Sequence, residues 1–315
     1  MKRAIILGVS GQDGAYLSRF LLDRDYEVHG TSRDAEMQSF RRLELLGIRD
    51  RVTMHSVSMR DFRELLQLIN SVQPDEIYNL AGQSSVALSF SQPIETMESI
   101  ATGELLVLEA IRYLRLPTRL YNSGSSECFG DVAAGSASDE QTPFVPRSPY
   151  ATAKATAHWT TTNYREAYGL FACSGILFNH ESPLRSERFV TKKVAEAAAA
   201  IAAGRERKLQ LGNLDVARDW GYAPEYVEAM WRMLQRDAPD DFVIATGESH
   251  TLQEFVAAMF AEHGLDWRDH VEMRPELLRP SDIRYSRGNP SKAKQVLGWE
   301  ATTRFAELVK KLAHE

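Results

Sequence analysis

The sequence predicts an α/β protein, a doubly wound parallel sheet with a smaller mixed α/β lobe, and three observations carry that reading. Short apolar runs at residues 3–7, 27–31, 52–56, 76–80 and 119–123 alternate with stretches of helical periodicity, the pattern of strand-helix-strand units. The first run empties into Gly8-Val9-Ser10-Gly11-Gln12-Asp13-Gly14, a glycine-rich turn ahead of a helix. Beyond Phe178 the strict alternation stops, as expected where a second lobe is assembled from separated segments. The 315 residues, 43% hydrophobic and 25% charged, suffice for a large core and are ordinary for a globular protein.

The elements follow in order. Met1-Lys2-Arg3 leads straight into Ala4-Ile5-Ile6-Leu7 and then glycines, with no small-residue cleavage site, so the run reads as a strand and not a signal peptide. Gly8, Gly11 and Gly14 let backbone amides approach a pyrophosphate where a helix dipole favours anions, with Gln12 and Asp13 in the first turn. The Gly-x-x-Gly-x-x-Gly spacing differs slightly from the commonest dinucleotide fingerprint, but the strand at 27–31 follows at the distance a Rossmann-type unit needs. That strand ends Thr31-Ser32-Arg33. An acidic residue there accepts the ribose 2′-hydroxyl of NAD, whereas an arginine suits a 2′-phosphate, so Arg33 points to NADP. Asp34 is the competing reading, because one residue of register puts a carboxylate at the ribose. Arg41 and Arg42 either reach the same place or are solvated helix charges.

A strand at 52–56, a helix at 62–72 and a strand at 76–80 continue the alternation, the last running into Leu80-Ala81-Gly82-Gln83-Ser84-Ser85. A helix at 102–114 precedes the strand at 119–123, which delivers Ser125. Sheets of this kind bind ligands at the carboxyl ends of their strands, where the glycine turn, residues 83–85 and Ser125 collect. Downstream, Pro149 reads as a helix entry, which puts Tyr150 and Lys154 on one helical face. A phenol with a pKa of ~10 is a poor base at neutral pH. A nearby ammonium favours the phenolate, so Tyr150 is expected to take a proton from a hydroxyl as a hydride leaves the same carbon.

Other classes are set aside. The net charge of −6 comes with no sustained basic run, which argues against nucleic acid. The longest apolar run, 194–203, is short and alanine-rich, so no membrane span is expected. Cys128 and Cys173 are far apart in apolar surroundings, which fits two buried, reduced thiols in a cytoplasmic protein. No Cys/His spacing suggests a metal.

The glycine pattern, Asn79-Leu80-Ala81-Gly82, Ser125 and the Tyr150/Lys154 pair resemble the extended short-chain dehydrogenase/reductases that act on nucleotide sugars. Pro146-Arg147-Ser148-Pro149-Tyr150, Phe178-Asn179-His180-Glu181-Ser182-Pro183, Phe189-Val190-Thr191-Lys192-Lys193 and Arg218-Asp219-Trp220-Gly221 narrow the resemblance to the GDP-mannose 4,6-dehydratase family, over nearly the whole chain. The resemblance implies a catalytic set of Ser125, Glu127, Tyr150 and Lys154. It implies cofactor contacts at Gly8, Gly11, Gln12, Asp13, Gly14, Arg33, Leu80, Ala81, Ser84 and His180, besides Tyr150 and Lys154. Substrate contacts are implied at Ser85, Asn179, Glu181, Lys193, Arg218 and Arg279, with a GDP-sugar as the partner and a homo-oligomer, dimer or tetramer, as the assembly. Residues 1–180 with 213–246 would bind the cofactor, and 181–212 with 247–315 the nucleotide sugar.

Departures from the family pattern also stand out. Asp34 and Ala35 occupy the place of paired arginines, residues Leu184-Arg185-Ser186 replace an Arg-Arg-Gly stretch, and the aspartate after the third strand is missing near Ser58-Met59. The altered 184–188 loop leaves room for a GDP-manno-heptose dehydratase as the alternative. A GDP-4-keto-6-deoxy-sugar reductase or a non-catalytic cofactor sensor stands further off, since neither needs Glu127 as a base.

Overall fold

The computed structural model describes residues 1–314. Its strands are β1 (Arg3–Leu7), β2 (Glu27–Ser32), β3 (Val52–Ser56), β4 (Glu76–Asn79), β5 (Arg119–Ser123), β6 (Ala172–Leu177) and β7 (Asn179–Glu181). After these come β8 (Leu209–Leu211), β9 (Ala217–Arg218), β10 (Trp220–Tyr222), β11 (Phe242–Ile244), β12 (His250–Thr251) and β13 (Val271–Met273). The helices are α1 (Gln12–Leu22), α2 (Arg41–Leu45), α3 (Phe62–Val72), α4 (Val86–Ser91), α5 (Pro93–Met97) and α6 (Gly103–Leu114). The later ones are α7 (Pro149–Tyr168), α8 (Val190–Ala202), α9 (Ala223–Leu234), α10 (Leu252–Glu262) and α11 (Phe305–His314). Seven strands form one parallel sheet in the order β11-β6-β5-β4-β1-β2-β3. The order reverses between β1 and β4, which opens the ligand crevice there.

Both faces of the sheet are covered, because alternate residues of a strand point to opposite sides. Ala4 and Ile6 pack with Leu17 and Leu21 of α1 and Tyr226, Met230 and Met233 of α9. Ile5, Leu7 and Ile77 pack with Leu65 and Ile69 of α3 and Val107, Leu108 and Ile111 of α6. A separate cluster joins α8, α10 and α11 through Val194, Ala198, Phe255, Met259, Leu308 and Val309, and takes in Leu209, Leu211 and Trp220.

Local signals explain the element ends. Asp61 caps α3 by accepting from the N–H groups of Arg63 and Glu64 at 2.9 and 3.1 Å. Ser148 caps α7, accepting from Ala151 N at 3.1 Å, with Pro149 in the first turn. The fourth strand ends one residue earlier than the periodicity predicts, at Asn79, although Leu80 N still donates to Leu7 O at 3.0 Å. The helix predicted from 102 begins as a wider-wound turn over Glu98–Thr102. Helices α4 and α5 have five or six residues each and give no periodicity to read. Among the described residues no helix is long and apolar enough to cross a membrane.

Candidate active site

The glycine turn is shaped by close approaches. Gly8 has φ +84°, and a Cβ there would lie 2.9 Å from Ala81 Cα; one on Gly14 would lie 2.7 Å from Gly8 O. Gly11 precedes α1 without any side-chain cap, so the helix N-terminus keeps N–H groups to offer an anion. This strand-turn-helix crosses the end of β4 where Leu80 and Ala81 lie, and a dinucleotide's pyrophosphate fits it. Ser84 is exposed beyond it, and Ser85 caps α4 by accepting from Leu88 N at 3.2 Å.

The turn is tied to the far side of the crevice by a buried network. Asp13 Oδ2 lies 2.9 Å from His180 Nε2, whose ring stacks on Tyr226 with centroids 4.6 Å apart. Gln12 Nε2 donates to Asp13 Oδ1 at 3.0 Å and to His180 O at 3.2 Å, and its Oε1 accepts from Ser182 Oγ at 2.7 Å. Burial works to raise the Asp13 carboxyl, but His180, Gln12 and Arg185 together hold it at about 2. Arg42 adds a clip, donating to Ser10 O at 3.0 Å and Leu184 O at 2.6 Å. Of the two readings open for Arg42 in the sequence, it is therefore no free helix charge.

At the end of β2, Arg33 is exposed and its Nη1 is 4.0 Å from Glu95 Oε1. Asp34 turns back on its own loop, where Oδ1 accepts from the N–H groups of Glu36 and Met37 at 3.1 and 2.9 Å.

Ser125, Glu127, Tyr150 and Lys154 meet at the carboxyl end of β5. Ser125 Oγ accepts from Glu127 N at 3.3 Å, which opens the short turn Ser126–Phe129. Lys154 Nζ lies 6.0 Å from the Tyr150 ring centroid and donates to Ser123 O at 2.6 Å. The expected lowering of the phenol by this lysine is not what the fold produces. Burial pushes the Tyr150 phenol above its usual range, the Ser125 hydroxyl opposes it, and the positive charge that also opposes it comes from Arg185. Burial moves Lys154 down to about 8. Burial also raises the Glu127 carboxyl, with Arg218 and Arg279 acting against it and Asp282 with it.

The residues assigned to the nucleotide sugar spread along the rim. Arg218 is buried, donating to Ile283 O at 2.7 Å, Ala217 O at 3.0 Å and Asp282 Oδ1 at 3.0 Å. Arg279 Nη1 donates to the same Asp282 oxygen at 3.2 Å. Asn179 opens β7 opposite Trp220, which lies two residues after Arg218. Lys193 is exposed on α8 and donates to Gln210 O at 2.7 Å. Glu181 is fully engaged below the surface, accepting from Thr191 Oγ1 at 2.6 Å with Arg185 Nε at 3.1 Å. Sequence reasoning missed Asp282, whose signal was a carboxylate three residues after Arg279. Among the described residues no three His, Cys, Asp or Glu side chains are placed to hold a metal ion.

Comparison with known proteins accounts for this arrangement. A family model described as GDP-mannose 4,6 dehydratase matches residues 5–312. The GDP-mannose 4,6 dehydratase 1 of Arabidopsis thaliana is 46% identical over 324 residues, covering 100% of this chain and 89% of that protein. The UDP-glucose 4-epimerase of Thermus thermophilus, solved in complex with NAD, superposes with a TM-score of 0.84 at 25% identity, covering 99% of this chain and 97% of that one. RMD from Pseudomonas aeruginosa, solved with NADPH, shares the fold at a TM-score of 0.81 and 20% identity, over 99% and 98% of the two chains. A nicotinamide cofactor is thus supported, and with the family match spanning the glycine turn, the Ser125 to Lys154 stretch and the arginine rim alike, the chain belongs to the GDP-mannose 4,6-dehydratase family.

Proposed function

We propose that this protein is a hydro-lyase that converts GDP-mannose to GDP-4-keto-6-deoxymannose, and that Ser125, Glu127, Tyr150 and Lys154 do the chemistry. The observation that carries the reading is Glu127, a half-buried carboxylate in the same short turn as Ser125, acting on Tyr150 and sensing Arg218 and Arg279. Oxidation alone needs no carboxylate there; elimination does. A bound nicotinamide would supply reversible hydride transfer, from carbon 4 and back to carbon 6 after water has left. Tyr150 takes the proton of the carbon 4 hydroxyl while Ser125 donates to the forming carbonyl oxygen. The ketone acidifies carbon 5, Glu127 removes that proton and delivers it to the departing carbon 6 hydroxyl, and water leaves. The proton held by Tyr150 balances the one carbon 5 regains. Arg218 and Arg279, both bonded to Asp282, supply fixed positive charge for the diphosphate, and Lys193 and Asn179 are assigned to the same ligand. Glu181, committed to Thr191 and Arg185, holds the loop on which Arg185 reaches inward.

The cofactor proposed is NADP. What supports it is that Arg33 stands exposed at the end of β2 while Asp34, its rival, spends its carboxylate on its own backbone. The binding division of residues 1–180 with 213–246 from 181–212 with 247–315 is part of the same proposal. So is a homo-oligomer, supported by exposed Leu105 and Tyr113 on α6 and Trp159 on α7.

The deciding experiment uses Glu127→Gln with GDP-mannose and with a GDP-manno-heptose as the competing substrate. The variant should still oxidise carbon 4, and elimination should slow by ~10²–10⁴-fold. Mass spectrometry should find the 4-keto-6-deoxy product from GDP-mannose promptly with wild-type protein and only after far longer incubation with the variant. Wild-type rates in the variant would remove Glu127 from the mechanism.

A further inference from the structure

Helix α6 and the turn before it carry a carboxylate on their buried face. Ile100, Glu104, Val107, Leu108 and Ile111 form one stripe at helical spacing, and Glu104 is fully buried. An apolar side chain would fill this stripe without desolvating a charge, so packing does not account for Glu104. Its partners do. Asn79 Nδ2, at the end of β4, donates to Glu104 Oε2 at 2.6 Å, and Thr161 Oγ1, on α7, lies 2.9 Å from Oε1. Asn79 Oδ1 in turn accepts from Ala81 N at 3.3 Å, which links the carboxylate to the strand end assigned to the cofactor. Thr161 is two turns beyond Lys154 on the same face of α7.

We propose that Glu104 is a positioning residue for the Tyr150/Lys154 pair: held by Asn79 and Thr161, its carboxylate is the buried counter-charge that keeps Lys154 an ammonium and ties the end of β4 to the catalytic helix. This rests on the roles given above to Tyr150 and Lys154. The groups acting on Lys154 come from three elements, Cys128 after β5, Glu104 of α6 and Asp13 of α1. Burial pushes the Cys128 thiol up to about 12, so it carries no charge at neutral pH, and Asp13 is committed to His180. Glu104 is therefore the anion left to serve Lys154; it also faces Asn79, Thr161 and, from β6, the neutral thiol of Cys173. Burial raises Glu104 to about 7 and lowers Lys154 to about 8, so both are charged together only near neutrality.

The test is Glu104→Gln, which keeps the shape and hydrogen-bonding capacity and removes the charge. Side-chain NMR of Lys154 in the ligand-free protein should show it losing its proton about one pH unit lower, and the alkaline limb of the kcat profile should move the same way, with KM changed less. Glu104→Asp, which restores a carboxylate, should titrate like wild type. An unchanged Lys154 titration in folded Glu104→Gln overturns the proposal, as does a Glu104→Asp protein displaced as far as the glutamine variant. The NMR arm needs no turnover. A lowered titration in a protein inactive on every GDP-sugar would uphold the Glu104–Lys154 coupling and sink the reaction assigned above.

Discussion

Burial, more than any neighbouring charge, sets protonation at the floor of the crevice. Tyr150 stays a phenol in the ligand-free chain because desolvation outweighs the Ser125 hydroxyl, and Lys154 donates a hydrogen bond to the Ser123 carbonyl. Tyr150→Phe removes only the proton acceptor, so turnover should fall by ~10²–10⁴-fold with cofactor affinity, measured by calorimetry, nearly intact. Arg33→Ala should weaken NADP binding more than NAD binding; equal losses would mean that Arg33 does not read the phosphate. Glu104 gives a stability signature. Its folded pKa is raised from 4.5 to about 7, so the native state holds a proton that the unfolded state has released across that window. Native stability is therefore lost as pH rises from about 4.5 to about 7, by on the order of 3 kcal/mol at most. Glu104→Gln lacks this group, so its melting temperature should gain on wild type between those two pH values. A constant difference would show that Glu104 is not ionising there.

The strand-turn-helix from β1 to α1 works because its glycines differ in what surrounds them. A Cβ on Gly14 would meet Gly8 O and Val9 Cα at 2.7 Å, whereas one on Gly11 meets only Gly8 O, at 3.4 Å. Gly14→Ala should therefore lower both melting temperature and cofactor affinity, and Gly11→Ala should leave the melting temperature within a degree or two of wild type. Comparable thermal losses would show that the turn yields where Gly14 sits. Helix α7 is held by Ser148, Pro149 and, at its far end, Gly169 with φ +68°. All three signals stand in the sequence. The helix turns out to carry Thr161 as well as Tyr150 and Lys154, and that placement becomes visible only when α6 packs beside it.

Across the whole molecule a single buried side chain joins three segments. Asp219 accepts from Thr246 N at 2.9 Å, Thr246 Oγ1 at 2.7 Å, Gly247 N at 3.0 Å and Gly288 N at 3.2 Å. It stands next to Arg218 at the rim, so the frame of the proposed diphosphate site hangs on it. Asp219→Ala would leave four donors without an acceptor. A loss of about 3 kcal/mol or more is expected in denaturant unfolding, with weaker GDP binding. A loss below about 1 kcal/mol would mean that water replaces the carboxylate readily.

What the sequence determined by itself was local or periodic. The alternation of strands and helices, the glycine turn, the caps of α7 and the Tyr150/Lys154 spacing each depend on residues a few positions apart, and the parallel sheet follows from them. Tertiary structure decided what depends on distant segments meeting in a dry interior. Asp13 finds His180, Arg42 closes on Leu184, and Asp282 lies between Arg218 and Arg279. Leu214, Val216 and Trp220 join the α8/α10/α11 cluster, while Ala293, Trp299 and Ala301 join the core against α9. The pKa directions of Glu104, Glu127, Tyr150 and Lys154 belong to the same class, because desolvation is a property of the packed site. Glu104 shows where the boundary falls. A charge on an apolar helical stripe was legible in the sequence, but Asn79, Thr161 and Lys154, which give it a use, come from elements that only folding brings to it.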